Sequence, residues 1–88
     1  MSTDPAASLH DDWSVDGDTL RRSWSFVDFA SALSFVNRVG ALAEERNHHP
    51  DIELGWGRVA IALTTHDVGG LTGQDYDLAQ AIDGLKSA

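Results

Sequence analysis

The chain has 88 residues, fourteen of them acidic and six basic, so its formal net charge is −8. This balance argues against nucleic-acid partners and anionic membrane surfaces, because both are bound through clustered Lys and Arg. The absence of cysteine excludes disulfides and thiolate metal sites, and no apolar run approaches the roughly 20 residues of a membrane span. We expect a cytoplasmic protein with a flexible segment at 1–10 and a single domain at 11–88.

The first regular elements are a strand and a long helix. Long or apolar side chains alternate with polar ones at 20–26, which predicts a half-buried strand. Asp28 can cap the helix that follows, in which apolar residues recur at helical spacing for roughly 18 residues. The helix should end near Asn47, which tolerates the left-handed conformation, and Pro50 prevents its continuation.

The second half of the chain predicts a hairpin and a second helix. Apolar residues alternate on both sides of a glycine-containing turn, with Ile52, Leu54 and Trp56 before it and Val59, Ile61 and Leu63 after it. Thr72 and Asp75 fit a capping box at the start of the second helix. The order strand, helix, strand, strand, helix indicates an α+β domain whose antiparallel sheet carries its helices on one face.

The apolar pattern also indicates a register for the hairpin. If facing residue numbers sum to 115, Leu54 lies opposite Ile61 and the apolar side chains, including Trp56, share the core face. Extending this register places His49 opposite His66, with Cα atoms about 4.5–5.5 Å apart. The end of the long helix and the end of the last strand are therefore expected to converge.

Three of the four histidines, His48, His49 and His66, fall within nineteen residues. Imidazole titrates near neutral pH, so such a cluster is typical of proton transfer or metal binding. Histidines that follow a helix can also simply favour the negative end of its dipole. A metal is disfavoured because adjacent histidines seldom face one ion. The favoured interpretation is acid/base chemistry, with Glu44 orienting His48 from four residues earlier on the helix.

These residues resemble the signature of the pterin-4a-carbinolamine dehydratases. The pattern runs Glu44, three residues, His48-His49-Pro50, five residues, the aromatic Trp56, nine residues, His66, eight residues and Asp75. The segments around this pattern agree as well, so the resemblance covers about residues 13–85.

The resemblance implies an enzyme, a hydro-lyase that acts in tetrahydropterin recycling. It would remove water from a 4a-hydroxytetrahydropterin and give the quinonoid dihydropterin, without a cofactor or a metal. It implies His48 and His66 as the acid/base pair, with His49 binding or polarising the substrate. The residues expected to bind or orient the substrate are Glu44, Thr65, Asp67 and Asp75.

The family fold implied by the resemblance is a four-stranded antiparallel sheet with two to three helices packed on one side. Its members form dimers or dimers of dimers, so a homodimer or homotetramer is expected. The pattern above contains three strands, so a fourth is expected near Trp13 or after residue 66. The alternative function is a noncatalytic dimerisation or assembly partner on the same scaffold. It ranks second because noncatalytic relatives tend to lose the histidines, which this chain keeps.

Overall fold

Four strands and two helices make up the regular structure of the computed structural model, which describes residues 10–65 and 69–87. In chain order they are β1 (Ser14–Asp16), β2 (Thr19–Ser25), α1 (Phe29–Arg46), β3 (Asp51–Gly55), β4 (Arg58–Leu63) and α2 (Gly73–Ser87). The strands form an antiparallel sheet in the order β1-β2-β4-β3. The predicted α+β fold is confirmed. The predicted flexible segment at 1–10 lies, apart from His10, outside the described residues.

Both helices pack on the same face of the sheet. Their buried side chains and those of the inner sheet face form one cluster, made of Trp13, Leu20, Trp24, Ala32, Phe35, Val39, Val59, Ile61, Leu63, Leu78, Ala79 and Ile82. The intervening residues of β2, Arg21, Ser23 and Ser25, are exposed on the other face. This alternation is the one predicted for the first strand. Neither described helix is long and apolar enough to cross a membrane.

Helix α1 begins and ends at the residues predicted from the sequence. The extended N-cap Asp28 accepts the backbone N–H of Ser31 at 2.8 Å, and Asn47 ends the helix in the left-handed conformation with φ 51°. The buried stripe consists of Ala32, Phe35, Val39 and Ala43. The apolar residues Phe29 and Leu33 of this helix lie outside the buried stripe and are 44% and 39% exposed.

The fourth strand is β1, which directly follows Trp13, the first of the two places expected for it. The indole N–H of Trp13 lies 2.9 Å from each carboxylate oxygen of Asp83 in α2. Arg22 of β2 donates to the same carboxylate at 2.7 Å. This shared carboxylate ties the β1 side of the sheet to α2.

The hairpin register differs from the predicted one by two residues. Ile52 pairs with Ile61 and Leu54 with Val59, so facing residue numbers sum to 113. The two-residue turn therefore consists of Trp56 and Gly57. A Cβ on Gly57 would lie 2.8 Å from the carbonyl oxygen of Phe26, so only glycine fits there. Trp56 is 69% exposed in this turn, and its predicted place in the core is wrong.

The two-residue shift keeps the apolar residues on the inner face, because side chains alternate with a period of two. It does remove the reason for expecting His49 opposite His66. The β3–β4 ladder ends at the pair Asp51–Ala62, before it reaches His49.

Candidate active site

The end of α1 separates the two adjacent histidines. The N–H of the left-handed residue Asn47 bonds to the carbonyl of Glu44 at 3.2 Å, and the N–H of His48 bonds to that of Ala43 at 3.1 Å. These two bonds form the Schellman arrangement, which turns the chain sharply away from the helix axis. The side chain of His48 is then only 12% exposed, whereas that of His49 is 58% exposed.

His48 contacts the start of α2. Its Nε2 lies 2.6 Å from Oδ1 of Asp75, whose side chain is fully buried. The second oxygen of Asp75, Oδ2, accepts the hydroxyl of Thr65 at 2.7 Å and the backbone N–H of Thr72 at 2.9 Å. One carboxylate thus joins the end of α1, the segment after β4 and the start of α2.

The predicted capping box is confirmed. Asp75 is the third residue of α2 and accepts the N–H of Thr72, while the hydroxyl of Thr72 accepts the N–H of Gln74 at 3.3 Å. Asp75 is also the one charged side chain that is fully buried within residues 10–65 and 69–85. Burying a carboxylate is costly unless its oxygens are hydrogen bonded, and here both oxygens have hydrogen-bond partners.

A second histidine–carboxylate pair lies nearby at the surface. Nε2 of His49 is 2.5 Å from Oε2 of Glu44, and the glutamate side chain is 77% exposed. The expected pairing of Glu44 with His48 is not formed. That expectation needed helical geometry through His48, but the helix ends at Arg46.

His66 and Asp67, two predicted site residues, lie outside the described part of the chain. The preceding residue, Thr65, is described, and besides its bond to Asp75 it pairs with Gly70 through two backbone bonds of 3.1 and 3.3 Å. The structure therefore brings His48, Thr65 and Asp75 together, and holds Glu44 and His49 as a separate pair. Among the described residues, no three His, Asp or Glu side chains are arranged to hold a metal ion.

A small pocket of about 200 Å³ opens beside His48, lined further by Arg46, Gln74 and Asp77. The sequence analysis missed these three residues. They are exposed polar residues near the ends of two helices, and only the packing of α1 on α2 brings them together. Two larger hollows, of about 390 and 350 Å³, contain none of the described candidate residues. We place the candidate site at the smaller pocket because it includes a side chain of the buried network.

Comparison with known proteins identifies the family. A family model described as pterin 4 alpha carbinolamine dehydratase matches residues 2–85. This chain belongs to that family. The resemblance predicted from the histidine signature is therefore confirmed, and so is the predicted class of enzyme, a hydro-lyase.

Similar proteins agree in sequence and in fold. A Rubrobacter xylanophilus protein assigned as a pterin-4-alpha-carbinolamine dehydratase is 56% identical over 71 residues, 81% of this chain and 66% of that protein. One from Thermosynechococcus vestitus with the same assignment is 48% identical over 73 residues, 83% of this chain and 77% of that protein.

Two solved structures share the architecture. The crystal structure of a transcriptional coactivator/pterin dehydratase from Brucella melitensis has a TM-score of 0.84 and 31% identity, covering 92% of this chain and 87% of that chain. A pterin dehydratase-like protein identified as a RuBisCO assembly factor in the alpha-carboxysome has a TM-score of 0.72, 23% identity and 92% coverage of both chains. At that identity the second likeness concerns the fold alone.

Proposed function

We propose that this protein dehydrates a 4a-hydroxytetrahydropterin to the quinonoid dihydropterin and water, in tetrahydropterin recycling. The observation that carries the proposal is the buried His48–Asp75 pair in a member of the dehydratase family. A histidine held by a carboxylate can take up and return a proton without changing its position. The pair also borders a pocket open to solvent, where a small molecule can reach the imidazole.

The reaction moves two protons in opposite directions. One group removes the proton from N5 of the pterin, and the electrons released there form the N5=C4a double bond. The C4a–O bond breaks with its electron pair on oxygen, which takes a proton from a second group and leaves as water. His48 and His66 are the proposed acid/base pair, and His49 binds or polarises the substrate. Nothing is oxidised or reduced overall, so the reaction needs no redox cofactor, and the proposal uses imidazoles rather than a metal for both proton transfers.

The remaining predicted residues orient this pair and the substrate. Asp75 holds His48 and is itself bound by Thr65, while Glu44 holds His49. Asp67 is proposed for the same task from its place directly after His66 in the sequence.

Replacing both His48 and His66 with Ala tests the proposal. Each well-placed acid or base contributes about 10²–10⁴ in rate, so the double variant should fall to the spontaneous rate. The measurement is stopped-flow absorbance of a 4a-hydroxytetrahydropterin generated in situ, with circular dichroism to confirm folding. His10→Ala is the matched control, because His10 lies outside the network. Near-wild-type turnover in a folded double variant would refute the proposed roles.

We also propose that the chain forms a homodimer or homotetramer through α1. Phe29 and Leu33 leave apolar surface exposed one turn apart on this helix, 44% and 39% of each residue being accessible. Leu33→Asp should lower the molar mass measured by light scattering after gel filtration. Ser14→Asp, an exposed change on β1 rather than on α1, adds the same charge and should leave the mass unchanged. A wild-type monomer would contradict the proposal.

A noncatalytic partner-binding protein is the second candidate function. It is favoured by further exposed apolar residues, Val27 at 80% and Trp56 at 69%, and by the fold shared with the RuBisCO assembly factor of the alpha-carboxysome. A folded wild-type protein without dehydratase activity would favour this candidate over the first.

A further inference from the structure

The hydrogen bonds that reach Asp75 have fixed directions. The backbone N–H of Thr72 can only donate, so Oδ2 of Asp75 is an acceptor. The Thr65 hydroxyl donates to the same oxygen, so the 2.9 Å contact between the two threonine hydroxyls uses the proton of Thr72. The hydroxyl of Thr72 in turn accepts the N–H of Gln74. In this series of hydrogen bonds, every donor therefore points towards the carboxylate of Asp75.

This arrangement determines where His48 carries its proton. An ionised carboxylate has no proton to donate, so the 2.6 Å contact with Oδ1 requires an N–H at Nε2 of the imidazole. In the neutral ring, the other nitrogen, Nδ1, is then unprotonated and keeps a free lone pair.

We propose that Asp75 is a positioning residue that selects the Nε2–H tautomer of His48, so that Nδ1 accepts the substrate proton. The identity of that proton, the one on N5 of the pterin, rests on the proposed function above. Nδ1 takes this proton as the N5=C4a bond forms, and the departing oxygen receives its proton from the other member of the proposed pair, His66. The imidazolium keeps its Nε2–H on Asp75 and releases the Nδ1 proton to solvent.

A capping role alone does not account for these contacts. A capping box needs one oxygen on the N–H of the N-cap residue, and Oδ2 supplies it. The other oxygen, Oδ1, is turned to His48, and the carboxylate is buried completely to make that contact. The exposed His49–Glu44 pair has no such network, because the structure gives Glu44 a single side-chain bond among the described residues.

Asp75→Asn separates the two roles with almost no change of shape. The N–H of Thr72 still requires an oxygen at the Oδ2 position, so the amide NH₂ must take the Oδ1 position opposite His48. Nε2 must then become an acceptor, which moves the proton of neutral His48 to Nδ1. The capping bond survives while the tautomer is reversed.

The test combines histidine-¹⁵N NMR with kinetics. Long-range ¹H–¹⁵N correlations at alkaline pH, where imidazole is neutral, should show the Nε2–H form for His48 in the wild type and the Nδ1–H form in Asp75→Asn. The variant should lose about 10²–10⁴ in kcat with KM changed only a few-fold, because the group that accepts the proton is blocked. Glu45→Gln, an exposed carboxylate-to-amide change on α1, should alter neither measurement.

Each outcome bears on one hypothesis. An Nδ1–H form of His48 in the wild type overturns the inference, whatever the folding of the variant. A folded Asp75→Asn protein with wild-type kcat, or with an unchanged tautomer, also overturns it. If the wild-type protein shows the Nε2–H form but no dehydratase activity, the proposed function fails and the tautomer assignment stands.

Discussion

The His48–Asp75 and His49–Glu44 pairs join the same chemical groups at 2.6 and 2.5 Å, yet they lie in different surroundings. The first is 12% and 0% exposed, and the second is 58% and 77% exposed. In water the Coulomb attraction between two such charges is weak and screened, whereas a buried pair is screened much less. Contact distance alone therefore does not rank the two pairs. Burial and additional hydrogen bonds make His48–Asp75 the better candidate for holding a catalytic group.

The largest expected difference between the pairs is in stability. Asp75→Ala removes the acceptor of three buried or half-buried donors, so the free energy of unfolding should fall by about 3–5 kcal/mol. Glu44→Ala removes an exposed partner and should change it by no more than about 0.5–1 kcal/mol. Urea unfolding with matched m-values checks both. Equal losses would show that burial does not distinguish the pairs.

A second prediction concerns the threonine that supports Asp75. Thr65→Val keeps the shape of the side chain but removes the hydroxyl that donates to Oδ2 of Asp75. The free energy of unfolding should fall by about 1–2 kcal/mol. Thr64→Val is the control, since the Thr64 hydroxyl has no hydrogen bond to any other described residue. If both variants lower the free energy of unfolding by the same amount in urea, the bond from Thr65 to Asp75 does not contribute to stability.

A third prediction uses salt. The coupling energy of Glu44 with His49, from a double-mutant cycle, should be about 0.2–1 kcal/mol at low ionic strength. It should approach zero near 1 M NaCl, where the Debye length is about 3 Å. The coupling of Asp75 with His48 should persist at high salt, because solvent ions cannot reach the buried carboxylate. If both coupling energies fell equally with rising salt, the two pairs would not differ in their exposure to solvent ions.

The smallest expected effect belongs to Asp28, a carboxylate whose partner is the backbone. The N–H of Ser31 lowers the pKa of Asp28 below its ordinary value of 3.8. Since the folded pKa lies below the unfolded one, this cap stabilises the protein above pH 3.8, and the stabilisation is lost as pH falls through the folded pKa. Asp28→Asn should therefore weaken the acid dependence of unfolding in this window without affecting either histidine pair. If the acid unfolding curves of the variant and the wild type coincide, the cap at Asp28 does not contribute to the acid dependence of stability.

The hairpin shows why part of the fold could not be predicted. The alternation from Ile52 to Leu63 identifies the inner face, but a shift of two residues gives the same face. In the folded hairpin the turn consists of Trp56 and Gly57, and Gly57 lies against the carbonyl of Phe26. Phe26 lies far away in the sequence, so no local pattern contains this information. Trp56 consequently moved from the predicted core to an exposed turn.

The sequence by itself determined the approximate positions of β2, β3, β4 and both helices, the caps at Asp28, Asn47 and Thr72, and the residues of the family signature. These depend on contacts between residues a few positions apart or on residue identity alone. Only the tertiary structure decided which histidine is buried. His48 and His49 are chemically alike and adjacent in the sequence. The difference arises because the turn at Asn47 directs one of them to a carboxylate that α2 supplies from 27 residues away, while the other stays in water.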